Sequence, residues 1–142
     1  MTPTQRTLKL FRDQGWTCCV VEKWNRFARV RQDAFGFGDI LCFREPFKLP
    51  PVDHGPQGKG VALIQATTRE HESDRVKKVT ESPHFKPWLE AGGRIFVVTW
   101  AKRGARGKRK TWQHFVTELH GAIKSHRCQS EAEFDAMRKA IP

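Results

Sequence analysis

Residues 61–67 read VALIQAT and residues 94–100 read RIFVVTW, and these two runs decide the fold. The first is nearly continuous in apolar residues until its end, which is typical of a strand buried on both faces. The second is the clearest strand pattern in the chain. Between them, residues 69–81 have a polar helical pattern in which Val76 and Val79 form the inward-facing pair. Strands separated by a helix in this way predict an α/β domain.

The flanking segments add further strands and helices to this centre. The elements predicted in chain order are a helix over 2–15, strands over 17–24, 39–43 and 61–67, helices over 69–81 and 82–89, strands over 94–100 and 111–119, and a helix over 130–141. The first helix begins with a capping box, since Thr2 is followed by Pro3 and then by Gln5. Residues 44–60 contain four Pro and three Gly, which predicts an exposed loop. We expect one domain over residues 1–142, with a mixed central sheet flanked by helices.

The chain is strongly basic, and this favours a polyanionic partner. It has 26 Lys and Arg against 15 Asp and Glu, a net charge of +11 over 142 residues. Nucleic acid is therefore the leading partner. A basic hairpin is predicted over residues 101–111, with Trp100 and Trp112 on its two strands; the alternative is a solubilising surface hairpin. Its cations are Lys102, Arg103, Arg106, Lys108, Arg109 and Lys110, and an earlier loop adds Arg26, Arg29 and Arg31.

The sequence also allows a prediction of the cellular compartment. No run of about 18 apolar residues is present, so we expect no transmembrane helix. The first residues lack the apolar core of a secretory signal. The four cysteines form no CxxC pair, which favours a reducing compartment and small, buried thiols. We expect a cytoplasmic protein without a membrane partner.

Oxygen-bearing side chains cluster at two predicted strand ends. Asp39 opens a strand directly after Gly38, while Gln65 and Thr67 are two residues apart on the next strand and point to the same side. If these strands pair, Asp39 lies beside Gln65, and the oxygens suit Mg²⁺ or Mn²⁺. In the alternative interpretation Asp39 is a turn residue, and Gln65 and Thr67 satisfy backbone groups at a buried strand end.

These residues and the order of elements resemble the PD-(D/E)xK nuclease superfamily, and within it the archaeal-type Holliday-junction resolvases. In that branch Gly-Asp or Pro-Asp opens the second strand and Glu-x-Lys ends the third, before a helix, a strand and a basic hairpin. This chain has Gly38-Asp39 and then Gln65-Ala66-Thr67, and the resemblance in element order covers roughly residues 4–119. It implies a restriction-endonuclease-like fold, a metal-dependent endonuclease for branched or structured DNA, a homodimer, and a bacterial or phage source.

Two motif positions depart from the family pattern. Gln65 stands where Glu binds the metal, and Thr67 stands where Lys helps to activate the attacking water. The resemblance implies that Asp39 binds the metal, that the amide oxygen of Gln65 completes its shell, and that Thr67 orients water or a phosphate oxygen.

Other residues are candidates to replace the negative charge of the family's Glu and the positive charge of its Lys. Arg75 and Lys78 share a face of the following helix and could supply the cation, although a solvated helix face is the alternative. Glu22 or Asp33 could supply the missing carboxylate. If none of these residues compensates, the chain is a nuclease-derived fold that binds DNA without cutting it. An RNA-binding protein is a third hypothesis, since basic hairpins with aromatic neighbours also suit RNA.

Overall fold

The structure, a computed structural model, describes residues 1–45, 60–121 and 125–128. Its helices are α1 (Pro3–Asp13), α2 (Glu72–Thr80) and α3 (Phe85–Glu90), with a 3-10 turn at Arg69–His71 before α2. Its strands are β1 (Thr17–Val20), β2 (Lys23–Asn25), β3 (Val30–Gln32), β4 (Ile40–Arg44), β5 (Gly60–Thr68), β6 (Arg94–Arg103), β7 (Thr111–Leu119) and β8 (Ser125–Cys128). The helix predicted over 130–141, and all but the ends of the loop predicted over 44–60, lie outside the described residues.

The two runs that decide the fold form the centre of a mixed sheet. β5 and β6 pair in parallel, with Leu63 opposite Ile95. Every other pairing in this sheet is antiparallel, and the strand order is β1-β4-β5-β6-β7-β8. Among the described strands, β2 and β3 pair only with each other and form a separate two-stranded ribbon. The predicted mixed α/β sheet is confirmed.

Helices cover both faces of the sheet, which explains the continuous apolar pattern of its central strands. On one face, Phe11 of α1 packs with Ile64 and Phe96. On the other face, Val79 of α2 and Phe85 of α3 pack in a cluster with Leu63, Ile95 and Val97. The predicted inward position of Val79 is confirmed, since its side chain is fully buried.

The first helix begins as its capping box predicts. The Thr2 hydroxyl accepts a hydrogen bond from the Gln5 amide at 3.2 Å, and the Gln5 side-chain oxygen accepts one from the Thr2 amide at 2.8 Å. The helix is tied to the sheet by the Trp100 indole N–H, which donates to the Thr7 hydroxyl at 2.9 Å. This contact fixes the middle of α1 beside β6.

The segment predicted as one strand over 17–24 is two strands, so that prediction is wrong in its extent. Pairing of β1 with β4 ends at Val20 opposite Ile40, where β4 itself begins. Among the described strands, the main sheet offers no further pairing beyond Val20, and residues 23–25 pair with residues 30–32 instead. The structure also adds β8, which the sequence did not predict, and exposes Cys19, which was expected to be buried.

The strand directions bring three features to one end of the sheet. β1 is antiparallel to β4, and β4 is antiparallel to β5, so β1, β5 and β6 all run the same way. The carboxyl ends of these strands are therefore at the same end of the sheet. The β2–β3 ribbon follows β1, the 3-10 turn follows β5, and the basic hairpin follows β6.

Candidate active site

A tight turn over residues 34–38 places two aspartates side by side. Ala34 and Gly38 exchange backbone hydrogen bonds of 2.8 and 2.9 Å, so the chain reverses direction between them. The reversal is possible because Gly36 adopts a φ of 82°, a left-handed conformation that favours glycine. Asp33 and Asp39 flank this closed turn and lie on the same side of the site.

Glu22 joins the two aspartates from the short link between β1 and β2. The Val21 amide donates to the Asp39 carbonyl oxygen at 2.9 Å, which holds the next residue beside the turn. One carboxylate oxygen from each of Glu22, Asp33 and Asp39 lies within 4.8 Å of the others. Ligands on opposite sides of a Mg²⁺ ion are about 4.2 Å apart, since each lies about 2.1 Å from the metal. The three residues, called the acidic cluster below, are therefore close enough together to be candidate ligands of one divalent ion.

Gln65 lies directly against the acidic cluster, as the sequence predicted. Its side-chain Nε2 donates to Asp39 Oδ2 at 2.9 Å, and the Ala66 amide donates to the same oxygen at 3.0 Å. Both side chains are buried, Asp39 at 5% and Gln65 at 2% exposure. The Gln65 Oε1 atom is buried and has no hydrogen-bond partner within the described part of the chain. Such an acceptor is available to an ordered water molecule or to a bound cation.

The electrostatics of the cluster favour a bound positive charge. Burial, followed by hydrogen bonding and repulsion from Asp33, raises the pKa of Asp39 to about 8 against the opposing effect of the Ala66 N–H. Burial also acts to raise the pKa of Asp33, but hydrogen bonds from Asp39 and Lys78 outweigh it, and the pKa is lowered. At neutral pH the two aspartates therefore share a proton, which Asp39 carries and donates to Asp33. A divalent cation would take the place of that proton.

The predicted cations lie around the same cleft, whose volume is about 810 Å³. Lys78 Nζ contacts Asp33 Oδ2 at 2.6 Å, and Arg75 lines the cleft one turn before it on α2. Thr67 also lines the cleft and is 7% exposed. The structure thus brings the sequence-predicted residues Glu22, Asp39, Gln65, Thr67, Arg75 and Lys78 into one site.

Some residues of the cleft were missed by sequence reasoning. Thr68, Glu70 and His71 line it, because the 3-10 turn after β5 folds back over the strand end. His71 lies 3.5 Å from Glu70 and is more than half exposed. The signal that could have identified these residues was their position directly after Gln65-Ala66-Thr67. His71 gave no separate signal, because the histidines of the chain lack metal-binding spacing.

The predicted basic residues flank the cleft on two sides. All six cations of the hairpin over 101–111 are exposed at the β6–β7 side, and Arg26, Arg29 and Arg31 are exposed on the ribbon at the β1 side. Trp112 is 41% exposed, and the Arg6 guanidinium lies 4.2 Å from the centre of its ring. A chain of phosphates crossing the cleft would meet cations at both ends.

No family model, curated protein or solved structure matches this chain. Within residues 1–45, 60–121 and 125–128, no helix has the length and apolar character needed to cross a membrane.

Proposed function

We propose that this protein is a divalent-metal-dependent DNA endonuclease with a restriction-endonuclease-like fold. The observation that carries the proposal is the acidic cluster of Glu22, Asp33 and Asp39 beside the orphaned Gln65 Oε1. The order of elements also supports the resemblance, since a helix and three main-sheet strands precede helices, a further strand and a basic hairpin. Asp39 directly precedes the second of those strands, and Gln65 lies near the end of the third.

The residues present fit a hard divalent ion such as Mg²⁺ or Mn²⁺. The three carboxylates supply charge, and Gln65 Oε1 supplies a neutral oxygen at the position of the family's Glu. Such an ion, when bound, lowers the pKa of a water molecule and polarises a phosphodiester. Because Gln65 Nε2 and the Ala66 amide both hold Asp39 Oδ2, the carboxylate is oriented before any ligand arrives.

Lys78 and Arg75 replace the positive charge that Thr67 cannot provide. Both project from α2 into the cleft, and Lys78 is held in place by Asp33 at 2.6 Å. A positioned cation beside a phosphate stabilises the negative charge that develops during hydrolysis. The Thr67 hydroxyl can donate a hydrogen bond to water or to a phosphate oxygen from the buried end of β5.

Phosphate contacts from the basic hairpin and the ribbon would supply the affinity for DNA. Six contacts from the hairpin predict a slope of about −5 for log K against log salt on duplex DNA. The resemblance further implies a homodimer, which sedimentation velocity at low salt can test.

The experiment compares wild type with Asp39→Asn on supercoiled plasmid, single strands and a synthetic four-way junction, each with Mg²⁺, Mn²⁺ or EDTA. Asp13→Asn is the matched control, because Asp13 is an exposed carboxylate on α1 that pairs only with Lys9 in the described structure. We expect metal-dependent cutting by wild type and by the control, and none by Asp39→Asn. Absence of cutting by wild type under every metal condition would refute the proposal.

A second candidate is a nucleic-acid-binding module that has lost cleavage. Thr67 at the lysine position favours it, because that substitution removes a charge from the site. In this case wild type and Asp39→Asn would bind DNA equally in a gel-shift assay, and a divalent metal would not change the binding of either protein. Selective binding of structured RNA over DNA would identify the RNA-binding alternative.

A further inference from the structure

We propose that the β2–β3 ribbon, residues 23–32, binds unpaired bases beside the cleft, so that the substrate is DNA with a junction between duplex and single strand. The inference deepens the proposed function by naming its substrate class. It depends on the shape, charge and position of the ribbon.

The ribbon presents a fully exposed aromatic side chain on an ordered tip. Phe27 is 100% exposed, although phenylalanine is usually found in protein interiors. The Asn25 side-chain oxygen accepts hydrogen bonds of 3.0 Å from the amides of Phe27 and Ala28, and Arg29 completes the turn with a φ of 53°. The tip conformation is therefore set by local hydrogen bonds, and the phenyl ring projects from a defined turn.

A second exposed aromatic residue lies on the face of the ribbon that is directed toward the cleft. Trp24 is 61% exposed and is paired directly opposite Arg31. Residues paired in this way point to the same face of an antiparallel ribbon. Arg31 lines the cleft and reaches to 3.8 Å from Glu22 of the acidic cluster, so this face is the cleft face. Trp24 thus offers an exposed stacking surface next to the cleft.

The charge of the ribbon identifies the partner as a polyanion. Residues 23–32 read KWNRFARVRQ, with four cations and no acidic residue. Aromatic rings interleaved with arginines bind single-stranded nucleic acid by stacking on bases while the cations contact phosphates. A second copy of this chain, with its net charge of +11, would bring like charges together at this surface.

The length of the ribbon sets where the unpaired bases lie. Phe27 is five positions after Glu22, so at about 3.3 Å per residue the backbone of the tip is at most about 17 Å from the backbone of Glu22 in the acidic cluster. Stacked nucleotides advance about 3.4 Å each, so this span is about five nucleotides. The boundary between duplex and unpaired bases is therefore within about five nucleotides of the phosphate in the cleft.

Binding measurements test the inference independently of cleavage. Fluorescence anisotropy in EDTA would compare a fork, a four-way junction and an uninterrupted duplex, all with the same number of phosphates. The variants are Trp24→Ala and Phe27→Ala, with Trp24→Phe and Phe27→Trp as conservative partners. Phe43→Ala is the control, because Phe43 is 50% exposed on β4 and lies four residues beyond Asp39, toward the opposite end of the sheet.

Each alanine variant is expected to bind the fork about 5- to 150-fold more weakly, as for loss of one stacked base, and the duplex within about twofold of wild type. The conservative variants and Phe43→Ala should bind both as wild type does. The fluorescence of 2-aminopurine should be quenched by wild type within about five nucleotides of the phosphate in the cleft, and not by the alanine variants.

Several results would overturn the inference. Equal losses on fork and duplex would mean that the aromatic residues do not read unpaired bases, and no loss would mean that they do not touch DNA. Conversion of a dimer to a monomer by Phe27→Ala would assign the tip to self-association. Flotation with phosphatidylserine vesicles that depends on Phe27 would assign it to a membrane surface. Fork preference without any cutting would leave this inference standing and refute the nuclease, whereas cutting with no fork preference would do the reverse.

Discussion

Replacement of Asp39 by asparagine should stabilise the metal-free protein at neutral and alkaline pH. The pKa of Asp39 is raised from its ordinary 3.8 to about 8, first by burial and then by Asp33. Because the pKa is higher in the folded protein than in the unfolded chain, the folded state holds the extra proton between these pH values. The free energy of unfolding of wild type therefore falls as the pH rises from about 4 toward 8.

Asparagine reproduces the protonated form of Asp39. Its Oδ1 can accept the hydrogen bonds that Gln65 Nε2 and the Ala66 amide now donate, at 2.9 and 3.0 Å, to Asp39 Oδ2. Its Nδ2 can donate to the Asp33 carboxylate in place of the shared proton. Only the pH-dependent cost of ionising a buried carboxyl is removed.

The size of the stability difference between Asp39→Asn and wild type follows from the shift in the pKa of Asp39. About three pKa units separate the ordinary value from pH 7, and each unit corresponds to 1.36 kcal/mol, so Asp39→Asn should be more stable than wild type by roughly 4 kcal/mol at that pH. Near pH 4 the two proteins should have the same stability.

Urea unfolding in EDTA, followed by the fluorescence of the five Trp residues, measures this difference from about pH 5 to about pH 8.5. Asp33 stays ionised across this range, since its pKa is lowered. Asp13→Asn is again the control and should follow wild type. Millimolar Mg²⁺ should stabilise wild type, as expected for a ligand that binds only the folded state, and should have little effect on Asp39→Asn. If Asp39→Asn is no more stable than wild type at pH 8, or differs from it equally at all pH values, the shared-proton reasoning is wrong.

Three further changes probe the turn, the basic hairpin and the ion pair between Arg94 and Glu118. Gly38→Ala places a methyl group 2.8 Å from Leu63 Cδ2, so we expect a loss of about 1–3 kcal/mol in urea unfolding and weaker Mg²⁺ stabilisation; unchanged stability would contradict the close packing of the turn. Replacing the three cations of residues 108–110 by alanine should reduce the salt slope of duplex binding from about −5 to about −3, measured by anisotropy. An unchanged slope would place the DNA elsewhere. Glu118→Ala removes the buried carboxylate that the half-buried Arg94 guanidinium contacts at 2.7 Å and should cost about 1–3 kcal/mol of stability, without changing the salt slope. A loss below about 1 kcal/mol would mean that water replaces the carboxylate.

The sequence alone predicted the core of the sheet, and it predicted one contact of the site on the condition that two strands pair. The apolar runs at 61–67 and 94–100 allow no other environment than a covered sheet, since exposing them would leave a large apolar surface in water. The capping box at Thr2 is a local hydrogen-bond pattern and needs no tertiary partner. The pairing of Asp39 with Gln65 followed from alternation along two neighbouring strands.

The tertiary structure decided which carboxylates join Asp39 and what the polar loop after β1 becomes. Glu22 is separated from Asp39 by 17 positions, and its place depends on the hydrogen bond from Val21 to the Asp39 carbonyl oxygen. Asp33 depends on the left-handed turn over 34–38. Sequence reasoning offered these two carboxylates as alternatives, whereas the fold brings both to the site.

The β2–β3 ribbon shows the same limit. Its strands are three residues long and mostly polar, so no local periodicity marks them. They form because the main sheet offers residue 23 no further partner after Val20 pairs with Ile40. Local chemistry thus determines the helices, the central strands and the charge of this protein. The acidic cluster and the exposed aromatic tip arise only when distant strands pair and bring their ends together.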